Sequence, residues 1–439
     1  MQPIDQHLRW YQSRFEAFEK SLNGEKSTTV HALRRDAIRR FAEIGFPTVK
    51  QEEWRFTNIS PIIKNEYQPI LRYELNGVKR NDIQQYFLNE AIRLVFINGM
   101  FSPEMSDMDL LSAGVSVGSL AERLKLHPEL IRSCINEDEN AFTALNTAFL
   151  QDGAFISVPK GIILEYPIQL LFIATNYEQK YVAQPRNLII AGENSQFKIV
   201  EMYIGIAKNT YLTNAITEIE LGENSIIEHD KCQVESANAY HIGTTHILMN
   251  TASNYLSNVV SISGSIIRNN VIALMNGERV ECTLNGLSLG NGTQIIDNHT
   301  SIDNAKPQCN SHELYKAILN GSSKGVFNGK IFVRKDAQKT DAKQTNKTLL
   351  LSDDATINTK PQLEIFADDV KCSHGAAIGQ LDDEQIFYLR SRGIDLNTAR
   401  DILTSAFADD VVNRITIESF RQLIERMIND RLNKNHASN

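Results

Sequence analysis

Cysteine is scarce and scattered in this chain of 439 residues: five occur, Cys134, Cys232, Cys282, Cys309 and Cys372, and no two form a CxxC pair. An odd number so widely spaced excludes a disulfide framework and a self-contained structural zinc site. Long apolar runs are missing too. None approaches the roughly 18 residues that span a bilayer. The first segment, MQPIDQHLRWYQSRFEAFEK, is charged throughout and has neither the apolar stretch nor the small-residue cleavage site of a secretory leader. These absences predict a cytoplasmic protein with no membrane partner. A net charge of -8 provides no electrostatic footprint for nucleic acid. Catalytic signatures are likewise absent. GSSKG at 321 to 325 lacks the Lys-Ser/Thr pair of a P-loop, and GNG at 290 to 292 runs on to Gln294 and Ile295 without the third glycine of a dinucleotide fingerprint. There is no GxSxG and no HExxH.

What is present is an ordinary globular composition, 42% hydrophobic and 22% charged, enough for one large domain or two to three modules. Ile4, Leu8, Tyr11, Phe15, Phe18 and Leu22 recur at helical spacing, and a second helix runs from about Thr29 to Glu43 until Gly45 and Pro47 stop it. EEWRFTNISP reads as a loop, and helical segments return between about Val117 and Leu150. From about Phe155 the pattern changes to short strands such as LLFIAT, FKIVEM, AITEIEL and VIALM. Turn-like anchors punctuate them: AGENS at 191, LGENS at 221, MNTAS at 249, MNGER at 275, LGNGT at 289, LNGSS at 319, RKDAQ at 334, LSDDA at 351 and FADDV at 366. Their spacing of about 15 residues, or twice that, is a repeat signal of units that bury their apolar faces only by stacking. A sandwich or barrel would turn every 8 to 12 residues. The constant period therefore predicts a parallel β-helix with coils of roughly 30 residues and two anchors per coil. No strict six-residue repeat supports the left-handed hexapeptide type.

After Gln380 the helical pattern resumes. Asp382 can cap a helix with Asp383 and Glu384 in its first turn and Arg390 and Arg392 at its end, before Gly393. A second helix carries Ile402, Leu403 and Phe407, and a third carries Phe420, Leu423, Ile424, Met427 and Ile428. Helices in this place form either a cap over the last coil or a docking module. The expected organisation is a mainly helical region over 1–145, a mainly β core over 146–380 and a helical domain over 381–439.

Candidate chemistry is sparse. The neighbours Asp353 and Asp354, Asp368 and Asp369, and Asp382 and Asp383 cannot flank one bond, because adjacent strand residues face opposite ways. His229 with Cys232, His241, His246, Cys282, His299, and Cys309 with His312 read as structural or merely exposed; the three-residue spacings split each pair across a strand. Cys372 and His374 differ. Two apart on a strand, thiol and imidazole share a face and are both ligands for zinc or iron. Two ligands do not close a site, so the remainder must come from a distant coil or another polypeptide.

The stretch GVFNGKIFVRKDAQKTDAKQTNKTLLLSDDATINTKPQLEIFADDVKCSHGAAIGQLDDEQIFYLRSRGI, residues 325 to 394, closely resembles the SufB/SufD family of iron-sulfur cluster assembly proteins, on its SufD side. KPQCNSHELYKAIL and the EEWRFT element are similar more loosely. The resemblance implies a right-handed parallel β-helix between helical regions. It also implies a non-catalytic scaffold that pairs with SufB, docks a SufC ATPase through its C-terminal helices, and holds iron or a transient iron-sulfur cluster only within that complex. By the same resemblance, His374 and Cys372 are interface iron or cluster ligands completed by SufB. Asp382, Glu384, Phe387, Arg390 and Arg392 belong to the partner-binding segment, and related subunits also form homodimers. CSHGAA at 372 to 377 differs from the HEA of SufB, and Ala377 stands where many members have Thr. The rival from another class is a secreted-type carbohydrate-active β-helix enzyme, a lyase or hydrolase.

Overall fold

Alternation of side chains along parallel strands organises this protein. In Asn310–Leu319, Ser311, Glu313, Tyr315 and Ala317 turn inward and are buried, while Asn310 and His312 are exposed between them. The same alternation recurs in strand after strand, most of them ten residues long. The computed structural model describes residues 3–22, 28–130 and 140–437. Cys134 and the side chain of Ile4 lie outside what is described.

Among the described residues the strands form two sheets, one of eleven strands and one of ten, in which hydrogen-bonded neighbours are two strands apart in sequence from Gln196–Gly205 onward. The chain thus alternates between the sheets and advances one coil every two strands, giving a β-solenoid of about eight turns. Tyr240 pairs with Ile266 and Phe155 with Leu188, 26 and 33 residues further on, which brackets the coil length. The predicted anchors are the turns. Asn194, Asn224, Ala252 and Arg279 occupy the left-handed region at φ 54 to 57°, and Ser195, Ser225 and Ser253 beside three of them are buried. Between the sheets lies a core of Phe172, Phe197, Ile199, Tyr203, Tyr255, Leu284, Tyr315 and Phe327 with their aliphatic neighbours. Tyr315 spans this space only because position 286 is glycine; a Cβ there would stand 2.3 Å from the ring.

The two ends of the solenoid differ. At the N-terminal end the stacking is stopped by antiparallel pairs, Met100–Phe101 with Phe96 and Ile97, and Ser116–Ser119 with Ala154–Ser157. The strand Ile92–Ile97, embedded in the mostly helical N-terminal part, joins the ten-stranded sheet beside Ile168–Ala174. At the other end Thr356–Ile365 and Lys371–Gly379 each pair on one side only.

The helices Pro3–Ser21, Thr29–Ile44 and Ala141–Ala148 pack Tyr11, Phe15, Phe18, Phe41, Phe142 and Phe149 into one aromatic cluster. The EEWRFT element is a clasp rather than a plain loop. Trp54 joins that cluster, the Arg268 guanidinium sits 3.8 Å over its ring, and Thr57 donates to Asp297 at 2.5 Å. The C-terminal helices Leu396–Val412 and Glu418–Ala437 do not cap the last coil. They turn back along the outer face of the ten-stranded sheet, where Val411, Val412, Ile415, Phe420 and Ile424 cover Val260, Ile262, Leu287, Leu289 and Ile318. The physical reason is an apolar outer stripe that would otherwise face water. Polar clamps fix the seat: Lys316 Nζ lies 2.6 Å from Asp410 and 3.9 Å from the centre of the Phe407 ring, and Thr416 N–H donates to Glu228 Oε1 at 2.9 Å. Lys316→Ala loses this cation while leaving only the half-exposed Asp410 behind. It should cost about 1–2 kcal/mol and speed amide exchange in Leu396–Val412 ahead of the solenoid strands, measured by denaturant midpoint and hydrogen exchange.

Candidate functional site

The strand Lys371–Gly379 continues the ladder of Asp341–Leu350, with Cys372 beside Ala342 and His374 beside Gln344. Ala342 and Gln344 are 0% and 2% exposed and face the space between the sheets. Cys372 and His374 therefore face the same way, as their spacing predicts, and they do so where the coils end. Cys372 is half-buried against Ala342, Leu363 and Val370, whereas His374 is exposed. Burial pushes the Cys372 thiol up, so it is protonated at neutral pH and would yield that proton on binding a metal. Among the described residues no group of three or more His, Cys, Asp or Glu is placed to hold a metal ion. Two side chains of ligand type are half of the four donors that a tetrahedral metal or a cluster iron takes.

Behind the pair lie two ladders that sequence reasoning missed. Cys372 stands in file with Ala342, Ser311 and Cys282, and His374 with Gln344, Glu313 and Leu284. Gln344 Nε2 donates to Glu313 Oε2 at 2.5 Å. Burial pushes the Glu313 carboxyl up to about 7. The Gln344 amide reaches across to the opposite sheet, where Gly329 makes room; a Cβ at 329 would stand 2.1 Å from Nε2. The glycine in the FNG stretch was the one available signal, but only the register tells which side chain fills the space.

Among the described residues, most of the other histidines and cysteines singled out by the sequence are tied into structure. His229 faces inward between Glu201 Oε2 at 3.0 Å and the Tyr255 hydroxyl at 2.9 Å, and Lys231 lies 3.4 Å from Glu201. Burial alone would raise the Glu201 carboxyl, but Lys231 and His229 outweigh it and hold it well below the carboxylate range. Cys232 is turned to the opposite face, under the C-terminal helices. His241 Nδ1 pairs with Glu235 at 2.7 Å, and His299 sits between Glu53 and Asp297. His246 and Cys282 are buried, and His312 is an exposed surface residue. Cys309 Sγ donates to the Gly277 carbonyl at 3.3 Å.

Asp382 caps the helix Asp383–Ser391, accepting from Glu384 N–H at 2.8 Å. No residue of that helix is buried. Phe387 is 75% exposed and Tyr388 58%, with the Arg392 guanidinium 5.3 Å over the Tyr388 ring and Arg390 in the last turn. Two large aromatic side chains thus stand uncovered on one short helix.

Two family models account for the chain: the SufBD core domain of SUF-system iron-sulfur cluster assembly matches residues 172–407, and the SufBD N-terminal region matches residues 5–170. The chain belongs to the SufBD family. A SufBD family protein of Synechocystis is 32% identical over 93% of this chain and 93% of its own length. The iron-sulfur cluster assembly protein SufD of Escherichia coli is 30% identical over 90% and 91%. A chloroplastic protein of Arabidopsis thaliana, ABCI7, is 31% identical over 92% and 87%. The two matches run from the N-terminal helices through the solenoid into the helix Leu396–Val412, and the terminal strand lies within the core match.

The raised Glu313 carboxyl has a defined sign. The fold favours its protonated form, so the stability it permits is complete below its ordinary 4.5 and is lost as pH rises through about 7. Glu313→Gln should therefore be more stable than the parent at pH 8, by about 3 kcal/mol at about 1.4 kcal/mol per unit, and nearly equal to it at pH 5. Urea midpoints at the two pH values check this.

Proposed function

We propose that this chain is a SufD-type scaffold subunit of a SufB–SufC–SufD complex, non-catalytic itself, working in the cytoplasm. The observation that carries this reading is the asymmetry of the solenoid. One end is closed by antiparallel strands, and the other is left open with Cys372 and His374 at its mouth. An uncovered edge of strands nine and ten residues long is a template for pairing, which soluble proteins otherwise blunt or cover.

SufB is the proposed occupant of that edge, and a second copy of this chain is its substitute when SufB is absent. In the complex, Cys372 thiolate and His374 imidazole supply two donors and SufB the rest, around iron or a nascent iron-sulfur cluster that is the product under construction. Splitting the donors between two chains makes binding conditional on assembly, so the isolated chain holds no stable cluster. The exposed helix Asp383–Ser391, with Asp382, Glu384, Phe387, Arg390 and Arg392, is the proposed seat of the SufC ATPase. Nucleotide binding by SufC would load that helix, and the neighbouring helix clamped at Lys316 would pass the load to the solenoid.

Two reconstitutions test this. His374→Ala should lower cluster formation by about tenfold or more while the three-protein complex still assembles; an unchanged yield removes His374 from the site. Phe387→Asp should release SufC from the complex and leave the thermal midpoint of the free chain unchanged, and full retention of SufC would move the seat elsewhere.

A further inference from the structure

His374 has a neighbour whose hydrogen-bonding capacity is half used. Gln344 is 2% exposed, stands next to His374 in register, and its Oε1 is buried without a partner. Such an orphan acceptor is rare in folded proteins and costly to leave unmet. Its orientation is set from behind. Glu313, one coil further in, takes the Nε2 hydrogen, which turns Oε1 away from Glu313. Gly329 opens the recess in which the amide lies, since any larger residue would collide with Nε2. Three residues on three strands thus hold one carbonyl oxygen in place beside the mouth.

Adjacent parallel strands lie about 4.8 Å apart and their side chains in register point the same way. The exposed imidazole therefore stands on the next rung of the file that holds that oxygen. Neutral imidazole has one N–H and one lone pair, and whatever accepts the N–H decides which nitrogen is left for a ligand.

We propose that Gln344, oriented by Glu313 in the recess at Gly329, is the positioning residue for His374: its Oε1 accepts one ring N–H and so presents the other nitrogen outward from the mouth. This rests on the reading of His374 as an interface donor, and it gives that donor a fixed tautomer before the second polypeptide arrives. A residue that merely filled the space between the sheets would leave the imidazole indifferent to its chemistry.

The test is nitrogen NMR of the full chain labelled at histidine, at a pH where the ring is neutral, with the His374 signals assigned by their loss in His374→Ala. In the parent, the ratio of the two His374 tautomers should depart from that of an unfolded histidine peptide by about fivefold or more, the worth of one hydrogen bond. Gln344→Leu should return the ratio to the peptide value. The exchanged pair Glu313→Gln with Gln344→Glu, which keeps an acceptor beside His374, should restore it. Gly329→Ala, which drives the amide from its recess, supplies a second route to the same loss where Gln344→Leu does not fold. A ratio equal in the parent and Gln344→Leu, with both folded, overturns the proposal. Because the tautomer is read on the chain by itself, normal cluster yield from a His374→Ala complex would defeat the interface reading and leave this result standing.

Discussion

Parallel stacking in register is the constraint from which the rest of the structure follows. Once coils repeat every 26 to 33 residues with the same residue-to-residue alignment, side chains far apart in sequence stand in file a few ångströms apart. Cys282, Ser311, Ala342 and Cys372 form one such file, and Leu284, Glu313, Gln344 and His374 another. A solenoid of this kind cannot place a functional group at its end without also placing a column of residues behind it. Cys372 and His374 are therefore the last members of two ladders, and their surroundings are determined by positions roughly 30 and 60 residues earlier.

Stacking also leaves a demand at each end of the solenoid. Each coil satisfies the backbone of the one before, so the final coil has nothing to satisfy its own. At the N-terminal end antiparallel strands absorb this demand, and the aromatic cluster around Trp54 clasps the helical region to the coils through Arg268 and Asp297. The C-terminal helices answer a different need, covering the apolar outer stripe of one sheet. With both helical regions engaged on the flanks, the open end and the exposed helix after it are left uncovered by this chain.

Much of this was legible in the residues. The period of the turn anchors reports the solenoid because many of its corners take a left-handed residue, and Asn and Gly serve there as AGENS, LGENS and LGNGT show. The spacing of Cys372 and His374 predicts a shared face because strand periodicity is strictly two. What lay hidden is whatever depends on register between coils. Nothing local in SHELYKA marks Glu313 as the partner of Gln344, and nothing in FNGK says that Gly329 yields space to a side chain from the other sheet. The helices after Gln380 were readable as helices, yet whether they cap the end or line the flank depends on the apolar stripe of distant strands such as Leu287, Leu289 and Ile318.

The account stands on the claim that a second polypeptide completes the open end. Amide hydrogen exchange of this chain, free and mixed with SufB, tests it most directly. Slowing concentrated in residues 356–365 and 371–379 is the predicted result. Binding of SufB that leaves those two strands exchanging as freely as before, with protection appearing on another face, would contradict it.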